Sequence, residues 1–200
     1  ATLHGRLPCP PGRWSLSARR ARHPSAPGAS ARTLGRTRDA MPIPPQFTEF
    51  WGAFARKHGG IASERFYEAF AFGDSEALAN DLAALVLRGT KRATAGSLWA
   101  FEAEGKAPPH PGALSIVTDW SENPLCVIET QSVEVLPFRE VSAQFAAIEG
   151  EGDGSLAFWR EAHRQYFTRE CARLGCVFAE DMPVVCEVFK VVHRGGESAA

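Results

Sequence analysis

From Pro45 to His58 the apolar residues Phe47, Phe50, Trp51 and Phe54 recur at spacings of three and four, the period of an amphipathic helix, and Gly59-Gly60 ends it. The aromatic run RFYEAFAF follows and predicts a strand near Phe66 to Phe72. Gly73-Asp74-Ser75 then supplies a cap for EALANDLAALVLRG, a helix in which Leu78, Leu82, Leu85 and Val86 face one way and Gly89 is the stop signal. A Pro/Gly cluster in EGKAPPHPG marks a loop, after which ALSIVTDW reads as a strand. Past the turn ENP, LCVIETQSVEVLPF is a long strand, continuously apolar in its first half and alternating in its second. A short helix in REVSAQFAAIEG leads to the acidic, glycine-rich EGEGDGS, which opens the long helix LAFWREAHRQYFTRECARLG. MPVVCEVFKVV is the closing strand, and residues 194–200 are expected to form a frayed end.

Helices early and in the middle, with the clearest strands in the second half, place the chain in the α+β class. The expected architecture is a small antiparallel sheet or partly open β-barrel with flanking helices. No internal repeat, phosphate-binding loop or GxGxxG is present, which argues against a nucleoside-triphosphate or dinucleotide enzyme. No run approaches the roughly 18 apolar residues of a membrane helix.

Charge changes the picture of domain organisation. The net charge of −1 conceals residues 1–40, with eight arginines against Asp39, and residues 41–200, with a net charge of −8. The front segment is rich in Arg, Pro, Ala, Ser and Gly and has no apolar period, so it is expected to be disordered. A targeting peptide and a basic arm for nucleic acid are alternatives. The preferred reading is sequence upstream of a natural start at Met41, leaving one domain over 41–193. Cys9, Cys126, Cys171, Cys176 and Cys186 form no CxxC pair. Buried thiols in a cytoplasmic protein account for them, whereas a metal site from Cys171, Cys176 and His163 would lack tight ligand spacing.

Three groups of residues could carry chemistry. In RGTKRATAGSLW, Lys91 and Thr94 follow the helix stop at Gly89, in what reads as an exposed loop. A lysine amine can activate a threonine hydroxyl if it is partly neutral, and Arg92 is a cation near enough in sequence to favour that. The plain alternative is a solvated lysine at a helix end and a threonine that starts a strand. In IEGEGDGS, Glu149, Glu151 and Asp153 alternate with glycines. Crowded carboxylates raise one another's pKa, which makes a general acid; the same oxygens could hold a divalent cation, or Asp153 or Ser155 could simply cap the next helix. The third group is Trp99, Trp120, Trp159, Arg160, His163 and Tyr166, either core residues or a base-stacking pocket.

Taken together, RGTKRATAG, CVIETQSVEVLPFREV, EGEGDGSLAFWREAHRQYF and VVCEVFKVV resemble the ASCH-domain family, small β-barrel proteins similar to the PUA class of RNA-binding domains, over about residues 46–192. The resemblance implies a cleft that handles RNA or a modified nucleoside. Some members cleave RNA, and a smaller branch hydrolyses the amide of acetylated cytidine with a lysine, a threonine and a glutamate. Lys91 and Thr94 match the first two by motif, and Glu149 stands for the third, with general acid as its favoured role. This chain carries extra helical material before the motif. Arg92, Trp99, Trp159 and Arg160 are the expected substrate-binding residues. The expected function is a hydrolase of single-stranded RNA or of an acylated cytidine, the alternative being a non-catalytic RNA-binding or translation-regulatory module. A charge of −8 over residues 41–200 disfavours general RNA binding, which draws on clustered Lys and Arg. A nucleoside or short strand in a local basic cleft fits better, drawn from Lys57, Arg65, Arg88, Lys91, Arg92, Lys106, Arg160 and Arg164. Expected partners are an RNA or nucleoside substrate, with no membrane and with a homodimer allowed. No cofactor is required, a divalent cation at the acidic loop being the alternative.

Overall fold

The apolar stripe of the first helix does what its spacing implies. In the computed structural model, Phe47, on a 3-10 turn at Pro45–Phe47, and Trp51 and Phe54 of α1 (Thr48–Lys57) are buried against Phe66, Leu114, Ile116 and Val127. The structure describes residues 42–61 and 63–196. The expected disorder of 1–40, the start at Met41, Cys9 and residues 197–200 of the expected frayed end lie outside the described residues.

β1 (Phe66–Phe70) follows, then α2 (Glu76–Arg88), capped by Ser75, whose hydroxyl accepts the Leu78 N–H. α2 buries Ala79, Leu82, Ala83 and Val86, the last three packing against Phe72, Val117, Cys126, Ile128 and Phe189. β2 (Ala93–Ser97) and α3 (Leu98–Ala103) come next, then β3 (Leu114–Thr118) and β4 (Pro124–Pro137). α4 (Ala143–Glu149), α5 (Leu156–Leu174) and β5 (Pro183–Arg194) complete the order. On α5, Trp159, His163, Phe167 and Cys171 recur every fourth residue and are buried. Phe138, Met182 and Val184 share their core.

The five strands form one sheet in the order β1-β3-β4-β5-β2. β4 and β5 make the long central ladder, from Cys126 opposite Arg194 to Pro137 opposite Pro183, with register shifts at Val127/Ile128 and Thr130/Ser132. Such irregularities bend and twist a ladder, which is how a sheet curls toward a barrel. The curl does not close: β1 and β2 remain at the two ends of the sheet order. An α+β fold with a partly open barrel and flanking helices is therefore what the chain adopts.

Three details differ from expectation. β1 pairs with β3 in parallel, because α2, β2 and α3 lie between them and return the chain to the same end of the sheet. Residues 93–97 form an edge strand on β5, the strand start that the plain alternative gave Thr94 rather than an exposed loop, and α3 follows it without a break. Arg194 is a paired β5 residue and the Gly195 N–H donates to the Leu125 carbonyl at 2.8 Å, so the ordered chain runs past the expected fray point.

Candidate functional site

Two left-handed glycines build the site. Gly89, at φ 78°, turns the chain off the end of α2, and the N–H groups of Thr90 and Lys91 both return to the Leu85 carbonyl, at 3.0 and 3.2 Å. Gly150, at φ 68°, ends α4, and a Cβ there would lie 2.5 Å from the Thr90 carbonyl oxygen. Only glycine allows this approach. The Arg92 N–H donates to the Ile148 carbonyl at 3.1 Å, so segments 90–92 and 148–150 are joined by backbone. Lys91 thereby enters the interior beside Glu149, both side chains being 1% exposed. The expected exposed loop lysine is instead a buried one, because the reversal at Gly89 points it inward.

Lys91 Nζ donates to Glu149 Oε1 at 2.9 Å and to Glu151 Oε1 at 2.6 Å, and it lies 5.3 Å from the centre of the Phe72 ring. Glu149 Oε1 also accepts the Ala95 N–H of β2 at 3.1 Å, and Glu149 Oε2 accepts the Trp159 indole N–H. His163 Nε2 faces Glu149 Oε1 at 3.6 Å, while its Nδ1 is 3.0 Å from the Trp159 carbonyl oxygen, an acceptor that requires the proton on Nδ1. Burial alone would raise the Glu149 carboxyl, but Lys91, His163 and the Trp159 N–H outweigh it and hold the group at about 2. Burial likewise favours a neutral Lys91, and the two carboxylates outweigh it, keeping the amine above the usual lysine range. Glu149 is therefore a fixed carboxylate. The expectation of a crowded, proton-bearing Glu149 overlooked the lysine that fills the space between the carboxylates.

The expected acidic loop divides. Glu149 closes α4, Glu151 reaches Lys91, and Asp153 turns out to solvent, accepting the Ser155 N–H at 2.8 Å. Ser155 caps α5 by accepting the Phe158 N–H at 3.1 Å. Glu149, Glu151 and His163 present ligand atoms within 4.8 Å of one another, the one grouping among the described residues that could hold a metal ion. Lys91 Nζ already bridges two of those ligands, so an added cation would meet the ammonium at the same oxygens. The four described cysteines are buried as thiols, and burial pushes Cys126 and Cys186 up to about 12.

The charged cluster forms the floor of a cleft of about 330 Å³. Thr94 lines it from β2, Phe70 and Phe72 from β1 and beyond, and Tyr166 and Arg169 from α5. Arg169 is held by Asp74 through bonds of 2.8 and 3.0 Å. Lys91, Thr94 and Glu149 are thus brought together, as their assignment requires. The four expected substrate-binding residues do not line this cleft. Arg92 is exposed elsewhere, Trp99 packs against the α5 core, Trp159 is buried beneath Glu149, and Arg160 donates to the Arg139 carbonyl at 3.0 Å. Nor do the eight basic candidates converge: Arg65 pairs with Glu129, Arg164 with Glu180, and Lys106 with Glu68, leaving Lys91 alone at the floor. Sequence reading missed Phe70, Phe72 and Arg169. The alternation of Phe70 and Phe72, and the helical spacing of Ala162, Tyr166 and Arg169, were the available signals.

A second cleft, of about 190 Å³, shares Phe70, Thr94 and Ala95 with the first. Both open where β1 and β2, the unpaired ends of the sheet, face one another, so the seam of the incomplete barrel is the site.

The family model described as the ASCH domain matches residues 68–193. No curated protein matches the chain. Among solved structures, the ASCH domain from Lactobacillus crispatus JV V101 is 40% identical, with 77% of this chain and 98% of that chain covered and a TM-score of 0.69. A protein from Enterococcus faecalis V583 is 33% identical, with 76% and 95% covered and a TM-score of 0.67.

Proposed function

The chain belongs to the ASCH domain family, and on that premise we propose that it hydrolyses the amide of an acylated nucleoside, an acylated cytidine being the expected substrate. The observation that carries this reading is the buried ammonium of Lys91, held by two carboxylates beside Thr94 at the floor of an aromatic-lined cleft. The volume of about 330 Å³ suits one nucleoside better than a strand. Its charge favours an uncharged amide over a phosphodiester. Glu149 and Glu151 outnumber Lys91, and Arg169 is already paired with Asp74, so a phosphate would meet excess negative charge.

In the resting site Lys91 is protonated and cannot act as a base. Glu151, whose side chain is 15% exposed and 2.6 Å from Lys91 Nζ, is the more accessible of its two carboxylate partners. In the proposed cycle Lys91 gives up its proton when substrate covers the cleft. The freed amine then takes the Thr94 hydroxyl proton as Oγ1 bonds to the amide carbon, and returns it to the departing nucleobase amine as the C–N bond breaks. The same amine then takes a proton from water as the water oxygen bonds to the acyl carbon, and returns it to Thr94 Oγ1 as the ester C–O bond breaks, releasing the acid and restoring the hydroxyl. Glu149 stays ionised throughout and fixes Lys91 in place. Buried thiols support a reducing compartment, the cytoplasm. No described helix is long and apolar enough to cross a membrane.

The test is incubation of the full chain with acetylated cytidine and, separately, with single-stranded RNA. Release of acetate and cytidine, abolished in Lys91→Arg, is expected, because guanidinium retains charge but does not deprotonate. Salt-dependent RNA binding without turnover would instead identify a non-catalytic RNA reader.

A further inference from the structure

The second cleft has a different chemistry from the first. Glu68, Glu104, Glu170 and Glu187 line it, against one cation, Lys106, which is bound to Glu68 and lies 5.9 Å from the Phe101 ring centre. Two polar atoms there are buried and have no hydrogen-bond partner: Ser97 Oγ, on a residue 1% exposed, and Glu170 Oε2. The other oxygen of Glu170 accepts from the Tyr166 hydroxyl at 3.3 Å, and Glu187 Oε1 accepts from Thr130 at 2.6 Å. Buried acceptors are nearly always satisfied in native proteins, so unsatisfied ones beside surplus carboxylates mark a place for a donor that arrives from outside. Ala100, Phe101, Pro109 and Val185 give the same cleft apolar walls.

From this arrangement we infer that the second cleft binds a protonated primary amine on a short aliphatic arm, with Glu170 and Ser97 accepting its N–H bonds. Three donors on one ammonium match the two orphaned oxygens and a neighbouring carboxylate, and the apolar walls take the methylenes. Burial raises the carboxyls of Glu68, Glu170 and Glu187, and an entering cation would relieve that strain by stabilising their ionised forms. Thr94 borders both clefts. The amine arm is thereby placed on the acyl side of the bond that Thr94 attacks, with the nucleoside in the first cleft. This last assignment rests on the hydrolase reading; the amine site does not.

Two measurements separate the claims. Calorimetric titration of the full chain with pentylamine at neutral pH should show binding, with 1-pentanol at least about tenfold weaker, and Glu170→Gln should remove most of that difference. Ser97→Ala should weaken pentylamine several-fold. Thermal melts confirm folding, and if Glu170→Gln does not fold, the exposed Glu104→Gln should weaken pentylamine in the same direction. Equal binding of amine and alcohol, or pentylamine affinity unchanged in the folded variants, overturns the site. The second measurement compares hydrolysis of cytidine acylated with 6-aminohexanoate and with heptanoate. The charged arm should have about tenfold higher kcat/KM, a preference that collapses in the same variants. If both are hydrolysed equally, the acyl-side assignment is overturned and the hydrolase reading stands. If neither is hydrolysed while pentylamine binds, the hydrolase reading and the acyl-side assignment fail together, and the cleft is a site for a free amine.

Discussion

Glu149 and Glu187 are 1% and 8% exposed, and they lie in two clefts that share Thr94. Burial pushes both carboxyls up, yet Glu149 is held at about 2 and Glu187 rises to about 7. The difference lies in what each meets. Glu149 has the Lys91 ammonium at 2.9 Å, an indole N–H and a backbone N–H. Glu187 has one neutral hydroxyl, from Thr130, and the unfavourable charge of Glu68. Desolvation raises a carboxyl only until a cation and donors outweigh it, so adjoining clefts in one fold can hold a permanent anion and a proton carrier.

Removing Lys91 should break the contrast most severely. Lys91→Ala leaves Glu149 and Glu151 facing one another without their cation, and should cost about 3–5 kcal/mol in denaturant unfolding. Lys91→Arg should keep most of the stability but reduce turnover by at least about 100-fold. Glu149→Gln comes next, with an expected loss of about 2–3 kcal/mol at pH 7, since Glu151 still pairs with Lys91. Because the folded pKa of Glu149 lies below its unfolded value near 4.5, its stabilisation is present above pH 4.5 and lost as pH falls toward about 2. That acid-side loss should flatten in the variant.

Glu187→Gln probes the opposite sign. The folded pKa of about 7 exceeds the unfolded 4.5, so the folded state holds the extra proton between these values and stability falls as pH rises through that window. Glu68 and Glu170, also raised, add to the same trend. Glu187→Gln should therefore stabilise the protein at pH 8, by on the order of 1–2 kcal/mol, and change little at pH 4. Melting temperatures at the two pH values decide it. The smallest effect is expected for Trp159→Phe, which removes one donor to Glu149: about 1 kcal/mol at pH 7, with the acid unfolding midpoint moved upward.

Much of the fold was legible because it depends on local pattern. The three- and four-residue spacing of Phe47, Phe50, Trp51 and Phe54 marked α1, Ser75 and Gly89 bracketed α2, and continuous apolar runs marked β3 and the first half of β4. β2 was legible only as the alternative of a strand start at Thr94, since Ala-Thr-Ala-Gly-Ser has no large apolar residue to alternate and is fixed by its pairing with β5. Parallel pairing of β1 with β3 joins residues more than forty positions apart, which no local period encodes. At the site, the residue types and their juxtaposition could be read in Lys91, Thr94 and Glu149. Their environment could not, as the misplaced roles of Arg92, Trp99, Trp159 and Arg160 demonstrate.

The sequence by itself determined the α+β class and most elements, because helical and strand periods and glycine stops act over a few residues, while the candidate lysine, threonine and glutamate came from the motif resemblance. Tertiary structure alone decided that Lys91 is buried, that Glu149 is a fixed anion rather than an acid, and that the barrel stays open along β1 and β2. Each of these depends on groups distant in the chain: the Gly150 turn against Thr90, the Lys91 ammonium and Trp159 indole on Glu149, and the strand order that leaves β1 and β2 at the two ends of the sheet. Protonation is set by the sum of such neighbours, and that sum exists only once the chain has folded.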